Sequence, residues 1–96
     1  MDVERLLNSV GKEIFVNYFY EFKNCTNEGV LAQKLLNENP KASALSGQIT
    51  RINCAKRIIS DENALKQALN LILISKRLSY GIIKKAKEIK KAEFST

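Results

Sequence analysis

Six polar or basic side chains in residues 41–59 are of types that donate hydrogen bonds to base edges and phosphates. They are Ser46, Gln48, Thr50, Arg51, Asn53 and Arg57. Four of them recur at steps of four, three and four residues, namely Ser46, Thr50, Asn53 and Arg57. This spacing places them on one side of an α-helix. We predict base-edge or nearby phosphate contacts from the first four of the six, and phosphate contacts from Asn53 and Arg57.

A second set of cations lies near the C-terminal end of the chain. Lys84, Lys87 and Lys91 follow one another at steps of three and four residues and form one outer ridge of a helix, which Lys85 extends. We predict phosphate contacts from this ridge. The competing interpretation for each lysine is a solvated surface side chain, which is common on terminal helices.

The net charge of +6 is unevenly distributed along the chain. Residues 1–40 carry four basic and six acidic groups, whereas residues 41–96 carry twelve basic and four acidic groups. A basic half of this size favours approach to a polyanion, either nucleic acid or an acidic membrane or protein surface. The alternative is that lysine-rich helix faces serve only to keep the chain in solution.

The residue types that most enzymes need are scarce. There is no histidine, which removes the commonest general base and metal ligand. The carboxylates are scattered without a local pair, and no glycine-rich phosphate loop occurs. We therefore predict a protein that is not an enzyme and uses no metal, cofactor or small-molecule substrate.

The cysteines and the hydropathy of the chain indicate in which cellular compartment the protein is expected. Cys25 and Cys54 lack metal-binding spacing and are expected to be reduced residues of the core, with a single disulfide as the alternative. The N-terminus has acidic residues where a signal peptide needs basic ones, and the longest apolar run is only Leu71–Ile74. We expect a cytoplasmic protein without a membrane span.

Apolar residues recur at three- and four-residue steps throughout, which predicts an all-α fold. A single helical domain over 1–96 accounts for the whole chain. We predict a compact bundle of about five helices, at approximately 2–24, 27–38, 43–59, 62–77 and 79–93. Gly11 is expected to be tolerated inside the first helix, and helix 62–77, apolar on most sides, is expected to be the buried central helix.

Helix ends are marked by capping residues and by the single proline. The predicted N-caps are Thr26, Ser43 or Ser46, Ser60 and Ser79. Pro40 is expected to end the helix before it. The third helix is predicted to turn one apolar stripe inward, formed by Leu45, Ile49, Ile52, Ala55 and Ile59.

Residues 27–59, a helix followed by a short break and a second helix, resemble a helix-turn-helix in outline, with Ala32 as the small residue between the helices. The break from Asn37 to Ala42 is longer than the usual turn and lacks its glycine. This outline indicates no particular family.

We expect a small regulatory or accessory protein that binds nucleic acid as a homodimer. DNA is the expected form of nucleic acid. The main alternative is a helical protein–protein interaction module without nucleic-acid contact. Its interface would use Val16, Phe19 and Tyr20, or else Ile83 and Phe94. A third interpretation places the final helix on acidic lipid, although its apolar face is small.

Overall fold

A computed structural model describes residues 2–39 and 44–94 of the chain, and every regular element in these residues is an α-helix. The predicted all-α class is therefore confirmed. The helices are α1 Val3–Val10, α2 Lys12–Asn17, α3 Phe19–Lys23, α4 Glu28–Glu38, α5 Leu45–Ile59, α6 Glu62–Leu73 and α7 Tyr80–Phe94. The described residues thus hold seven helices instead of five, because the N-terminal segment forms three short helices where one was predicted.

Gly11 and Tyr18 divide the N-terminal segment. Gly11 has a φ of +91°, a backbone conformation that residues with a Cβ rarely adopt. Its N–H donates to the carbonyl of Leu7 at 2.8 Å, so it closes α1. A second bend at Tyr18 separates α2 from α3. These bends allow α1 to pack against α5 and α6, α2 against α7, and α3 against α5.

Side-chain caps start most of the helices. The Asp2 carboxylate accepts from the Arg5 N–H at 3.1 Å. The Asp61 carboxylate accepts from the backbone N–H groups of Asn63 and Ala64, so Asp61 caps α6, one residue after the predicted cap Ser60. Ser79 caps α7 as predicted, since its hydroxyl accepts from the Ile82 N–H at 3.4 Å.

Besides Ser60, two further predicted caps are replaced by neighbouring residues. Asn27, and not Thr26, caps α4, with its side-chain oxygen 3.1 Å from the Val30 nitrogen. The N-cap of α5 is Ala44, which places Ser46 inside the first turn. The predictions for Pro40 and Ser43 lie outside the described residues.

Helix α5 is the most widely packed element, since it contacts α1, α3, α4 and α6. Its fully buried apolar residues are Ile52, Ala55 and Ile58. The predicted inward stripe is partly wrong, because Leu45 is 41% exposed while Ile49 and Ile59 lie at the edge of the core. The buried face is rotated towards Gln48 and Ile58 because α5 is covered from several sides at once.

Helix α6 is amphipathic, which corrects the expectation that it is buried nearly all round. Its buried residues are Ala64, Leu65, Ala68, Leu69 and Ile72. The polar side, which includes Lys66 and Asn70, is exposed. The helix ends at Leu73, four residues earlier than predicted, and Ile74 beyond it is 73% exposed.

The core receives apolar residues from all of the described helices. Phe15, Phe19 and Phe22 are almost completely buried, so these aromatic residues pack in the core. Within residues 2–39 and 44–94, no helix has the length and apolar character that crossing a lipid bilayer requires.

Candidate nucleic-acid interface

The outer face of α5 carries four of the predicted site residues. Ser46, Thr50, Asn53 and Arg57 are all exposed, at the spacing that the sequence predicted. The Thr50 hydroxyl donates to the Ser46 carbonyl at 3.1 Å, so this donor already has a partner on its own helix. Arg57 is the single cation of the four. Their contact with nucleic acid stays a prediction.

The other two predicted residues of α5, Gln48 and Arg51, do not belong to that face. Gln48 is only 3% exposed, so the expectation of an exposed side chain was wrong. It lies one turn before Ile52 and faces the same side of the helix. The Arg51 guanidinium donates to the Gln48 side-chain oxygen at 3.0 Å and is itself partly buried. This hydrogen bond satisfies a buried acceptor, which is a structural role.

The surroundings of the α5 face are mixed in charge. A shallow groove between α1 and α5 is lined by Asp2, Arg5, Leu6, Ser9, Cys54 and Arg57. Glu4 lies beside it on α1. The carboxylates offset the two guanidinium groups, so this side of the molecule offers little net attraction for a polyanion.

The lysine ridge of α7 is different. Lys84, Lys87 and Lys91 are exposed, and none of them forms a salt bridge with any carboxylate in the described part of the chain. Lysines on α3, α4 and α5 are instead neutralised by acids on other helices. These pairs are Lys23–Glu93 at 2.7 Å, Lys34–Glu21 at 3.6 Å and Lys56–Glu28 at 2.9 Å. Cations without a salt-bridge partner in the described residues are therefore most numerous on α7. One exposed acid, Glu88, also lies on this helix, four residues after Lys84 and three before Lys91.

Two further lysines of α7 donate to neutral amides on its neighbours. Lys85 Nζ lies 3.2 Å from the Asn17 oxygen on α2, and Lys90 Nζ lies 2.9 Å from the Asn70 oxygen on α6. Because an amide carries no net charge, these contacts position the lysines without neutralising them. The ridge is therefore flanked by further positive charge.

A shallow groove runs along one side of the ridge, where α7 meets the end of α6. It is lined by Leu73, Lys87, Lys90, Lys91 and Phe94. The Lys66 ammonium lies 5.1 Å from the centre of the Phe94 ring, a distance typical of a cation–π contact. Lysines and an aromatic ring thus meet at the C-terminal end of α7.

Tyr80 is a candidate residue that the sequence reasoning missed. It is the first residue of α7 and is 81% exposed. It precedes Lys84 by four residues and therefore begins the same row as the ridge. The spacing was visible in the sequence, but the exposure of the ring was not, because an aromatic residue at a helix start is more often covered.

The two surfaces do not form one continuous site. Helix α6 packs against both α5 and α7, while α7 packs chiefly against α2 and α6.

In the helix-turn-helix outline, α4 does pack against α5, and Ala32 is fully buried. Residues 39–44 separate the two helices, which is longer than the tight turn of that motif.

The ionisable groups with shifted pKa values lie in structural contacts. Burial, and then a 2.9 Å hydrogen bond to Glu38, raise the pKa of Tyr18. The hydrogen bond from Lys56 lowers the pKa of Glu28, and the same bond raises the pKa of Lys56. Among residues 2–39 and 44–94, no three histidine, cysteine or acidic side chains are grouped so that they could hold a metal ion.

No protein-family model, curated protein or solved structure matches this chain.

Proposed function

We propose that this chain is a non-enzymatic nucleic-acid-binding protein whose main contact surface is the lysine ridge of α7, formed by Lys84, Lys87 and Lys91. One observation carries the proposal: these three ammonium groups are exposed and have no carboxylate partner among the described residues. Phosphates are the ligands that such a row attracts, because each contact releases condensed counterions from the nucleic acid.

The dimensions of the ridge suit a chain of phosphates. Lys84 and Lys91 are seven residues apart, which is about 10 Å along a helix axis. Phosphates on one strand recur about every 3.4 Å along a duplex. The ridge therefore spans about three nucleotides. Contacts of this kind give affinity and little sequence preference.

Helix α5 serves as a secondary contact in this proposal. Its exposed Ser46, Thr50 and Asn53 side chains can reach base edges or phosphates only if the helix enters a groove, and Arg57 is the one cation that would attract it there. The mixed charge of the α1–α5 groove is the reason for placing the main contact on α7. The regulatory or accessory role and the DNA preference remain part of the proposal.

The cytoplasmic location remains a proposal, which rests on the two widely spaced cysteines of the sequence. Homodimer formation remains a proposal as well, and a light-scattering mass of the purified chain tests it. A mass of one chain at the concentrations used for binding would remove it.

An interaction module for another protein is the second candidate. Val16 and Phe19 are buried, so they cannot form its interface as predicted. Val30 is 67% exposed beside a largely apolar groove between α3 and α4, which supports a different interface there. A Val30→Asp variant that alters the light-scattering mass without unfolding the chain would support this candidate.

Fluorescence anisotropy with labelled duplex and single-stranded DNA at about 50 and 200 mM salt tests nucleic-acid binding. On a duplex, three phosphate contacts give a slope of log K against log[salt] of about −2.7, hence a loss of about 40-fold in affinity between these concentrations. On a single strand the slope is about −2.1 and the loss about 18-fold. Changing Lys84, Lys87 and Lys91 together to Gln should remove most of this salt dependence, since each lysine contributes about one unit of slope.

The matched control removes three positive charges elsewhere, by changing Arg5, Lys12 and Lys34 to Gln. This variant has the same net charge as the ridge variant but an intact α7. It should keep most of the affinity and of the salt dependence. Equal losses in the two variants, or no binding by the unchanged protein at low salt, would overturn the proposal.

A further inference from the structure

We propose that the ridge binds single-stranded nucleic acid, and that Tyr80 stacks on an unpaired base at one end of it. This inference rests on the proposed function, since it names the form of nucleic acid that the α7 ridge takes. It begins from the exposure of Tyr80, the most exposed of the large hydrophobic side chains in the described residues, at 81%.

Tyr80 lies in line with the lysines. The steps from Tyr80 to Lys84, Lys87 and Lys91 are four, three and four residues, so the ring and the three ammonium groups share one side of α7. The row is about 16 Å long at 1.5 Å per residue. A strand that lies on the lysines therefore passes the tyrosine ring.

Cations continue beyond Tyr80 on its other side. Lys76 and Arg77, in the connection between α6 and α7, are exposed. Along the chain, Tyr80 thus lies between two groups of positive charge. Phe94 lines the groove at the far end of α7, beside Lys90 and Lys91. Aromatic rings placed along a positive track are how proteins bind unpaired strands without reading their sequence.

A duplex makes little use of this arrangement. Its base faces are covered by neighbouring base pairs, so an exposed ring on a helix surface has no base face to stack on. The lysines alone would serve a duplex, and Tyr80 would then contribute nothing. The form of nucleic acid is therefore decided by whether the tyrosine ring adds affinity.

A lipid surface fits less well than a single strand. The apolar residues of α7, Ile82, Ala86 and Ile89, are buried in the core, so the helix has no apolar face left to enter a bilayer. Ile74 and Tyr80 are exposed near one end only. A narrow row of cations matches a linear polyanion better than a plane of headgroups.

Anisotropy with a labelled oligo-dT of about 12 nucleotides, and with the same strand paired to oligo-dA, tests the inference. The unchanged protein should bind the single strand at least tenfold more tightly at equal salt. Tyr80→Ala should weaken single-strand binding by about 5- to 150-fold, the loss expected for one base–aromatic stack. Its duplex binding and salt dependence should stay unchanged, because no phosphate contact is removed.

Tyr80→Phe is the matched control, since stacking needs the ring and not the hydroxyl, and it should keep the affinity of the unchanged protein. Urea unfolding of both variants shows that each is folded. If Tyr80→Ala binds the single strand as tightly as the unchanged protein, the inference fails while binding through the lysines stands.

Two other outcomes also overturn the inference. Absence of binding to both strands and duplex removes the proposed function together with it. Vesicles that contain acidic lipid provide the remaining arm of the test. The inference is overturned if the unchanged protein binds these vesicles, Tyr80→Ala does not, and the unchanged protein shows no preference for the single strand. The surface would then be one that binds acidic membranes.

Discussion

The Arg51 guanidinium donates a 3.0 Å hydrogen bond to the side-chain oxygen of Gln48, the one buried polar residue of the described core. Gln48 lies on the buried face of α5, and the partly buried Arg51 follows it by almost one turn. This contact removes Gln48 from the set of groups that can reach a ligand. It also gives Arg51 a role in stability.

Loss of the Arg51 side chain should destabilise the fold. Arg51→Ala leaves the Gln48 oxygen without this donor, which we expect to lower the free energy of unfolding by about 1–3 kcal/mol. Urea unfolding measures this change. The double variant Gln48→Leu, Arg51→Ala should recover part of the loss, because the apolar side chain needs no donor. A double variant that is less stable than Arg51→Ala would contradict this account.

The backbone at Gly11 makes a second prediction. An alanine there must adopt a φ near +91°, which we expect to cost about 1–3 kcal/mol of stability. Gly47→Ala is the matched control, because Gly47 is helical and a Cβ there would meet nothing within 4 Å. It should raise stability by up to about 1 kcal/mol. Equal urea midpoints for the two variants would argue against the bend at Gly11.

The rotation of α5 gives a third prediction. Ile58 is fully buried, whereas its neighbour Ile59 is only partly covered. Ile58→Ala should therefore cost about 2–5 kcal/mol, as large-to-small changes in a packed core do. Ile59→Ala, which removes the same atoms, should cost clearly less. The opposite order in urea unfolding would restore the inward stripe that the sequence predicted.

The Glu28–Lys56 pair predicts a pH dependence of stability. The pKa of Glu28 lies below its ordinary value of 4.5 in the folded chain. Its stabilising contribution is therefore complete above that pH, and is lost as the pH falls through the lowered pKa. Lys56 has a raised pKa, so its contribution is present below its ordinary value of 10.5 and is lost at higher pH.

Glu28→Gln tests this dependence, because its side chain does not ionise. Between neutral pH and about pH 3, the unchanged protein should lose more stability than the variant. Urea midpoints at the two pH values give the comparison. Since both side chains are only partly buried, the difference should be small, and it should shrink as salt screens the pair. Identical pH dependence in the two proteins would show that the pair contributes nothing.

The sequence by itself determined the helical class and most helix positions. Steps of three and four residues between apolar side chains specify a helix locally, and Asp61 and Ser79 cap their own helices within a few residues. The exposure of Ser46, Thr50, Asn53 and Arg57 also followed from spacing, because four residues on one side of a helix share its environment. These are short-range properties.

Only the tertiary structure decided the rest. The bend at Gly11 depends on where the first three helices must pack. The free-energy cost of one glycine inside a helix is too small to reveal the bend from the sequence. The burial of Gln48 depends on how four helices surround α5. The choice between the two basic surfaces depends on the packing of α1 against α5, which places Asp2 in one groove with Arg57, and on the absence of a salt bridge to the ridge lysines in the described residues. Which charged residues of different helices come together is set by tertiary packing. The spacing of residues along the sequence does not specify it.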